Sequence, residues 1–294
     1  MKDGRGGDGR TWTLMEVLRW TATRFGAASD TPRLDAELLL AEVLGLGRIQ
    51  LYTQFDRPLD PSEIDRFKAL ARRRIEGEPV AYILGRKDFW GRTFRVDPRV
   101  MVPRPETELL VQGALDAAPA DQEILVVDLC CGSGNVIISI LEERARWRGI
   151  AVDLSADALA VAGINRDAAD LEDRLRLVET DLLSGLPEEP RPRVITANPP
   201  YVPDGDWAGL APDVRNHEPR LAITAGADGL DVIRRLVPAA AAALAPGGQL
   251  LMEYDGRAQT PAVQAMAAEA GLEDVTIVKD LAGLDRVLSA RKPG

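Results

Sequence analysis

Between Thr11 and about Glu76, apolar residues recur at helical spacing. Leu14, Val17, Leu18 and Thr21 share one face. Leu34, Leu38, Leu39, Leu40, Val43 and Leu44 form a broader one, which Gly45 is placed to stop. Asp60-Pro61-Ser62-Glu63 reads as a helix start, continued by Phe67, Leu70 and Ala71. Arg72, Arg73 and Arg74 fall at that helix's end, where cations suit the macrodipole; a solvated helix end and a docking patch both produce such a run. The period changes between Lys87 and Val102. Phe89, Trp90, Phe94, Val96, Val100 and Val102, with Gly91 and Asp97-Pro98, predict a β-hairpin. Pro103 and Pro105 then bound a helix from about Glu106 to Ala117.

After Asp121 short apolar runs alternate with helical ones. Strands are predicted at 124–129, 150–153, 175–179, 194–197, 250–254, 275–279 and 286–290. Helices are predicted at 136–146, 156–166, 229–244 and 261–270. This alternation predicts an α/β fold with a mainly parallel, doubly wound sheet, whose ligands sit at the carboxyl ends of the strands. The expected division is a disordered tail at 1–10, a helical domain at 11–86, a hairpin linker at 87–105 and the α/β domain at 106–294.

Composition narrows the chemistry. No apolar run is long enough to span a bilayer, and the polar, Gly-rich start lacks the apolar core of a secretory signal. The two cysteines, Cys130 and Cys131, are adjacent and poorly placed for a disulfide, which points to a reducing, cytoplasmic setting. With His217 the only histidine, neither a metal centre nor a His-dependent hydrolase is expected. The net charge of -10 is uneven: residues 1–95 carry 17 basic and 14 acidic side chains, and the rest carry 19 and 32. So acidic a second half is a poor match for duplex DNA.

Four motifs follow predicted strands. Asp128-Leu129-Cys130-Cys131-Gly132-Ser133-Gly134-Asn135 is a Gly-rich turn opening a helix, where backbone can approach a ligand and free N–H groups are offered. It is not a full G-x-G-x-x-G, and a tight turn that binds nothing has the same pattern. Asp153 ends the next strand, where a carboxylate accepts both hydroxyls of a ribose or caps the following helix. Thr180-Asp181-Leu182 could contact an adenine amine. Asn198-Pro199-Pro200-Tyr201 is the most informative. Its prolines stiffen the loop and leave carbonyl acceptors, Asn198 adds another, and Tyr201 adds a flat ring. Such a site suits a planar –NH2 group whose nitrogen lone pair faces an electrophile.

With these motifs the sequence resembles the class I S-adenosylmethionine-dependent methyltransferases, and within them the HemK/PrmC family of protein-(glutamine-N5) methyltransferases. The resemblance covers nearly the whole chain after residue 10. It includes Leu34–Leu40, Gly77–Gly85, Val102-Pro103-Arg104-Pro105-Glu106-Thr107-Glu108, Asn198–Tyr201, Glu218–Ala222 and Asp280–Arg286. The 103–108 segment is similar to the branch that methylates the Gly-Gly-Gln glutamine of peptide-chain release factors, rather than the branch acting on a ribosomal protein. The resemblance implies a helical N-terminal domain that helps dock the release factor, and a seven-stranded Rossmann-like domain that binds S-adenosylmethionine. Asp128, Cys130, Cys131, Gly132, Ser133 and Gly134 would line the cofactor turn. Asp153 would hold the ribose, Asp181 and Leu182 would flank the adenine, and Asn198 would border the cofactor. Asn198, Pro199, Pro200 and Tyr201 would hold the substrate amide, with Phe94, Arg104 and Glu106 as further wall candidates. The departure is Cys130-Cys131 where the family usually has Gly-Thr; a positive φ at 130 would strain Cys.

The implied step is an in-line attack of amide nitrogen on a sulfonium methyl. No general base stands out, so positioning and hydrogen bonding must supply the rate. The Asn-Pro-Pro-Tyr motif is shared with adenine-N6 DNA methyltransferases, which need base flipping and a basic channel; direct DNA binding is not expected. A degenerate fold kept as a binding module is the non-enzyme alternative.

Overall fold

Helix starts in the N-terminal region are set by reciprocal side-chain caps. Thr13 Oγ1 accepts from Glu16 N at 3.4 Å while Thr13 N donates to the Glu16 carboxylate at 2.9 Å. Asp60 and Glu63 repeat the device at 2.9 and 3.0 Å, with Pro61 in the first helical position. The structure, a computed structural model, describes residues 11–26, 29–256 and 258–294. The tail expected at 1–10 lies outside them.

The chain divides into two compact units, the first spanning residues to Gly85 together with Ala211–His217, and the second holding the remainder. In the first are α1 (Leu14–Phe25), α2 (Pro32–Leu44), α3 (Arg48–Thr53), α4 (Pro61–Ile75) and α5 (Val80–Leu84). The predicted stop at Gly45 is a left-handed cap, φ 63°. Helix α2 packs against all four others, and Leu14, Leu18, Phe25, Leu39, Leu40 and Phe67 fill the core around it.

Being central, α2 buries acids as well as leucines. Asp35 is 6% exposed and takes Arg74 Nε at 2.7 Å. Glu37, 1% exposed, takes Arg33 and Arg48 at 2.7 and 2.9 Å and the Tyr52 hydroxyl. Within the Arg72–Arg74 run only Arg72 is exposed. Arg73 is bound to Glu78 at 2.5 Å and Arg74 is 3% exposed inside the bundle. Arg74→Ala leaves Asp35 buried without its cation and should cost about 3 kcal/mol. Arg74→Met with Asp35→Leu should recover most of it. Denaturant midpoints check both, and an unshifted midpoint for the single variant would show the pair to be structurally idle.

The second unit opens with an antiparallel hairpin, β1 (Arg86–Phe89) and β2 (Arg92–Arg95). Trp90 and Gly91 both have positive φ, 50° and 68°, the geometry of a two-residue hairpin turn. It is shorter than the predicted 87–102, and residues 96–102 run on without strand pairing. A 3-10 turn, Pro105–Thr107, leads into α6 (Glu108–Asp116). There follow β3 (Leu125–Leu129), α7 (Asn135–Glu143), β4 (Arg148–Asp153), α8 (Ala156–Ala168), β5 (Leu175–Glu179) and β6 (Val194–Ala197). Helix α9 (Pro212–His217) groups with the first unit. Then come α10 (Asp231–Ala243), β7 (Gln249–Glu253), α11 (Thr260–Glu269), β8 (Glu273–Lys279) and β9 (Asp285–Arg291).

The seven-stranded sheet has the order β5-β4-β3-β6-β7-β9-β8, with β9 antiparallel to both neighbours and the others parallel. Alternate residues feed opposite faces: Val126, Val194 and Leu251 join one core, Val127, Ile195 and Leu250 the other. The chain order reverses between β3 and β6, which opens a crevice at their carboxyl ends.

Candidate active site

That crevice is a cavity whose floor is the turn after β3. Cys130, Gly132 and Gly134 have φ of 56°, 52° and 76°, so the backbone coils through three left-handed positions. Gly134 is required: a Cβ there would come within 3.0 Å of Ile138 Cδ1 at a φ that resists side chains. The turn is tied down by Cys131 N to Val152 O at 3.0 Å and Gly134 N to Cys131 O at 2.8 Å. Cys130, Cys131, Gly132 and Ser133 line the cavity; Gly134 shapes the turn behind them.

The positive φ at Cys130 confirms that an L side chain is strained there. Burial and the nearby Asp153 and Asp128 carboxylates push both thiols up, which argues against a reactive nucleophile. Cys130→Gly should raise stability by about 1 kcal/mol and leave cofactor affinity unchanged or improved. Thermal melts and a binding titration check this; a destabilised variant would mean that thiol packing outweighs the backbone strain.

Asp128 sits on β3 facing β6, 2% exposed. Its Oδ1 accepts from Thr196 Oγ1 at 2.7 Å, and Oδ2 has no partner among the described residues. Burial pushes its pKa up to about 7, against the opposing pull of Thr196 and the Ile137 N–H. Asp153, ending β4, accepts from Gly132 N at 2.9 Å and Ser155 N at 3.0 Å. It does not cap α8; Ser155 does, its Oγ accepting from Ala158 N at 3.2 Å. Burial raises the Asp153 pKa, while the N–H groups of Ser155, Gly132 and Leu154 hold it down. Asp181 and Leu182 also line the cavity, where Arg235 of α10 grips Asp181 through two 2.8 Å contacts.

Asn198 and Pro200 face the same cavity. Asn198 Nδ2 donates to Thr107 Oγ1 at 3.3 Å. Pro199 is buried behind them. The loop is pinned by Val202 N to Ile223 O and Ala225 N to Val202 O, both 3.0 Å, and by Gln259 Nε2 to the Tyr201 carbonyl at 2.8 Å. Gly229 lies so close that a Cβ would stand 2.1 Å from that carbonyl. Tyr201 is half-buried and its hydroxyl donates to Glu253 Oε1 at 3.2 Å.

Three wall candidates are placed differently. Phe94 is 3% exposed, edge-on to Phe89 at 6.1 Å in the core, and does not reach the cavity. Its place is taken by Met101, Pro103 and Thr107. Arg104 is held by Glu218 at 2.6 Å, and Glu218 also accepts from Val102 N at 3.3 Å. Glu106 lies near Tyr201 and Glu253 rather than on the cavity wall. Thr107, Arg235, Gln259 and Glu253 were not foreseen. The first lay inside a recognised segment and the last ends a strand, but nothing in the sequence aligned them with Asn198.

The sheet order, with a glycine-rich turn at its point of reversal, defines the class I methyltransferase fold. A solved relative in that fold is the 16S rRNA N2 G1207 methyltransferase of T. thermophilus, in complex with AdoMet and guanosine. It superposes with a TM-score of 0.52 at 19% identity, over 70% of this chain and 49% of that one. The family models of the PrmC N-terminal domain and the methyltransferase small domain match residues 16–85 and 105–209. The release factor glutamine methyltransferase of Rhodopirellula baltica is 39% identical over 96% of this chain and 97% of its own. That of Cereibacter sphaeroides is 42% identical over 95% and 98%. The chain belongs to the release factor glutamine methyltransferase family.

Proposed function

We propose that this chain methylates the side-chain amide nitrogen of a glutamine in the Gly-Gly-Gln loop of a peptide-chain release factor, with S-adenosylmethionine as donor. The observation that carries this reading is the Asn198–Tyr201 loop held rigidly against the cavity that Asp128 and Asp153 line.

The residues suit the cofactor. The orphaned Asp128 Oδ2 asks for a cationic donor, which the amino-acid ammonium provides. Asp153 keeps lone pairs for ribose hydroxyls, and Asp181 with Leu182 borders the adenine end. When bound, S-adenosylmethionine supplies an electrophilic methyl on a positively charged sulfonium, a strong leaving group. Asn198 Oδ1 and the Pro199 carbonyl would accept the two amide hydrogens and fix the amide plane, and one of these protons would pass to solvent as the nitrogen gains the methyl. These acceptors gain strength as positive charge builds on nitrogen, and that differential is their catalytic contribution. Tyr201 packs its ring at the back of the loop.

The first unit would dock the protein substrate, and Ile49, Tyr52 and Phe55 leave apolar surface exposed there. No helix among the described residues is long and apolar enough to cross a membrane. The reading places the enzyme in the cytoplasm with its substrate. Peptide mass spectrometry of a release factor incubated with the protein and cofactor should find a single added methyl on that glutamine. A methyl found instead on DNA adenine, or on a different protein's glutamine, would reassign the substrate.

A further inference from the structure

We infer that Glu218 is a positioning residue for methyl transfer: paired with Arg104, it closes a ring of hydrogen bonds that holds the Asn198–Tyr201 loop at the cavity. The inference rests on the proposed role of Asn198 in holding the amide. Glu218 is buried, its side chain 2% exposed. Its Oε1 accepts from Arg104 Nη2 at 2.6 Å and its Oε2 from Val102 N at 3.3 Å. One carboxylate thus grips the chain on both sides of Pro103. Pro103 lines the cavity, and so does Pro219, next to Glu218 itself.

Two paths lead from this pair to the loop. On one side the Arg104 carbonyl accepts from Thr107 N at 3.2 Å, and Thr107 Oγ1 accepts from Asn198 Nδ2 at 3.3 Å. On the other side the chain turns tightly after Glu218. The Pro219 carbonyl accepts from Ala222 N at 2.9 Å, and the Arg220 carbonyl from Ile223 N at 3.0 Å. The Ile223 carbonyl then accepts from Val202 N at 3.0 Å, one residue past Tyr201. The paths meet in the loop, so Asn198, Thr107, Arg104, Glu218, Ile223 and Val202 form a closed circuit.

Closure matters because of what the two segments lack. Neither 102–104 nor 218–219 belongs to a helix or strand, so no ladder fixes one against the other. The pair that joins them comes from positions 114 apart, and a charge-assisted bond of this kind is short and directional. Pro103, Pro105 and Pro219 stiffen the backbone on either side, so a displacement at Arg104 or Glu218 is passed along instead of being absorbed locally. Gln259 pins the loop from behind, at the Tyr201 carbonyl. The circuit fixes the end that carries Asn198. In-line attack tolerates little play there, since an error of about 1 Å costs about 100-fold in rate. Asp128 and Asp153, on β3 and β4, stand outside the circuit, so cofactor binding does not depend on it.

The test compares wild type, Glu218→Gln, Arg104→Met and the double variant, assayed below their melting transitions with a release factor and S-adenosylmethionine. Each single variant should lower kcat about 10- to 100-fold. The double variant should lose little more than either, because one break already opens the ring. The Kd for S-adenosylhomocysteine should stay within about threefold of wild type. A second readout needs no turnover: amide hydrogen exchange. The Val202 and Thr107 amides both donate within the circuit, and their protection should fall about tenfold or more in the variants. The Cys131 amide, bonded to Val152 on the cofactor side, should keep its wild-type rate. Protection that is unchanged, or lowered equally at all three amides, overturns the inference, and so does a wild-type kcat in both single variants. Selective loss of protection in a protein that methylates no glutamine refutes the substrate reading alone.

Discussion

Asn198→Ala should lower the rate of glutamine methylation by about 10²- to 10³-fold while the cofactor Kd stays within about threefold of wild type. The asymmetry follows from placement. The groups suited to the cofactor's charged and hydroxyl ends come from β3 and β4, whereas Asn198 comes from β6 and reaches the cavity beside Pro200. An amide nitrogen is a weak nucleophile because its lone pair is shared with the carbonyl. Its attack needs the plane of the amide held and developing positive charge met by acceptors. Removing Asn198 Oδ1 deletes one of these, leaves the Pro199 carbonyl, and frees the Thr107 hydroxyl. Single-turnover methyl transfer and calorimetric cofactor binding separate the two effects. An equal loss in both would move Asn198 from the substrate side of the reaction to the cofactor's.

Much of this site was legible because its motifs are local. A strand followed by glycine, an acidic residue at the end of the next strand, and Asn-Pro-Pro-Tyr after a third are each readable within a few residues. The doubly wound rule sends all three to one edge of the sheet. What escaped was set by contacts distant in sequence. Phe94 reads as a plausible wall because an aromatic after a turn suits a site, yet it pairs with Phe89 in the core. The Arg72–Arg74 run reads as solvated because buried charge is rare. Arg74 defies that because Asp35, 39 positions away, and the more distant Asp213 meet it. Helix α9 interrupts the second unit to join the first, a long-range choice without a local signature. Glu253 looks like any polar residue ending a strand. Its meaning comes from Tyr201, whose hydroxyl the fold alone brings to it.

Asp128→Asn should abolish useful cofactor binding, weakening it about 100-fold or more, and at the same time stabilise the protein above pH 7. Asp128 is buried, and its Oδ2 finds no donor at hydrogen-bond distance among the described residues. Its folded pKa stands near 7, above the value of about 3.9 for an unfolded chain. A raised folded pKa contributes stability that is complete below the unfolded value and is lost as pH rises through the folded one. Ionised Asp128 therefore opposes folding most strongly above pH 7, and a neutral isostere removes that penalty. The variant should melt about 5 °C higher than wild type at pH 8, with the gap closing towards pH 4. Binding has the opposite sign. If the cofactor's ammonium pairs with this carboxylate as proposed, wild-type affinity should weaken about tenfold between pH 8 and pH 6, as the ionised fraction falls. The variant, with no charge to lose here, should keep only the weaker dependence that Asp153 contributes. Thermal melts and calorimetric titrations across that range read both halves. A variant no more stable than wild type at pH 8, or one that binds with unchanged affinity, would mean that the orphaned oxygen is satisfied from within the fold. On the proposed reading the oxygen is left open for a cation that arrives with the cofactor, and the fold bears its cost only while the site is empty.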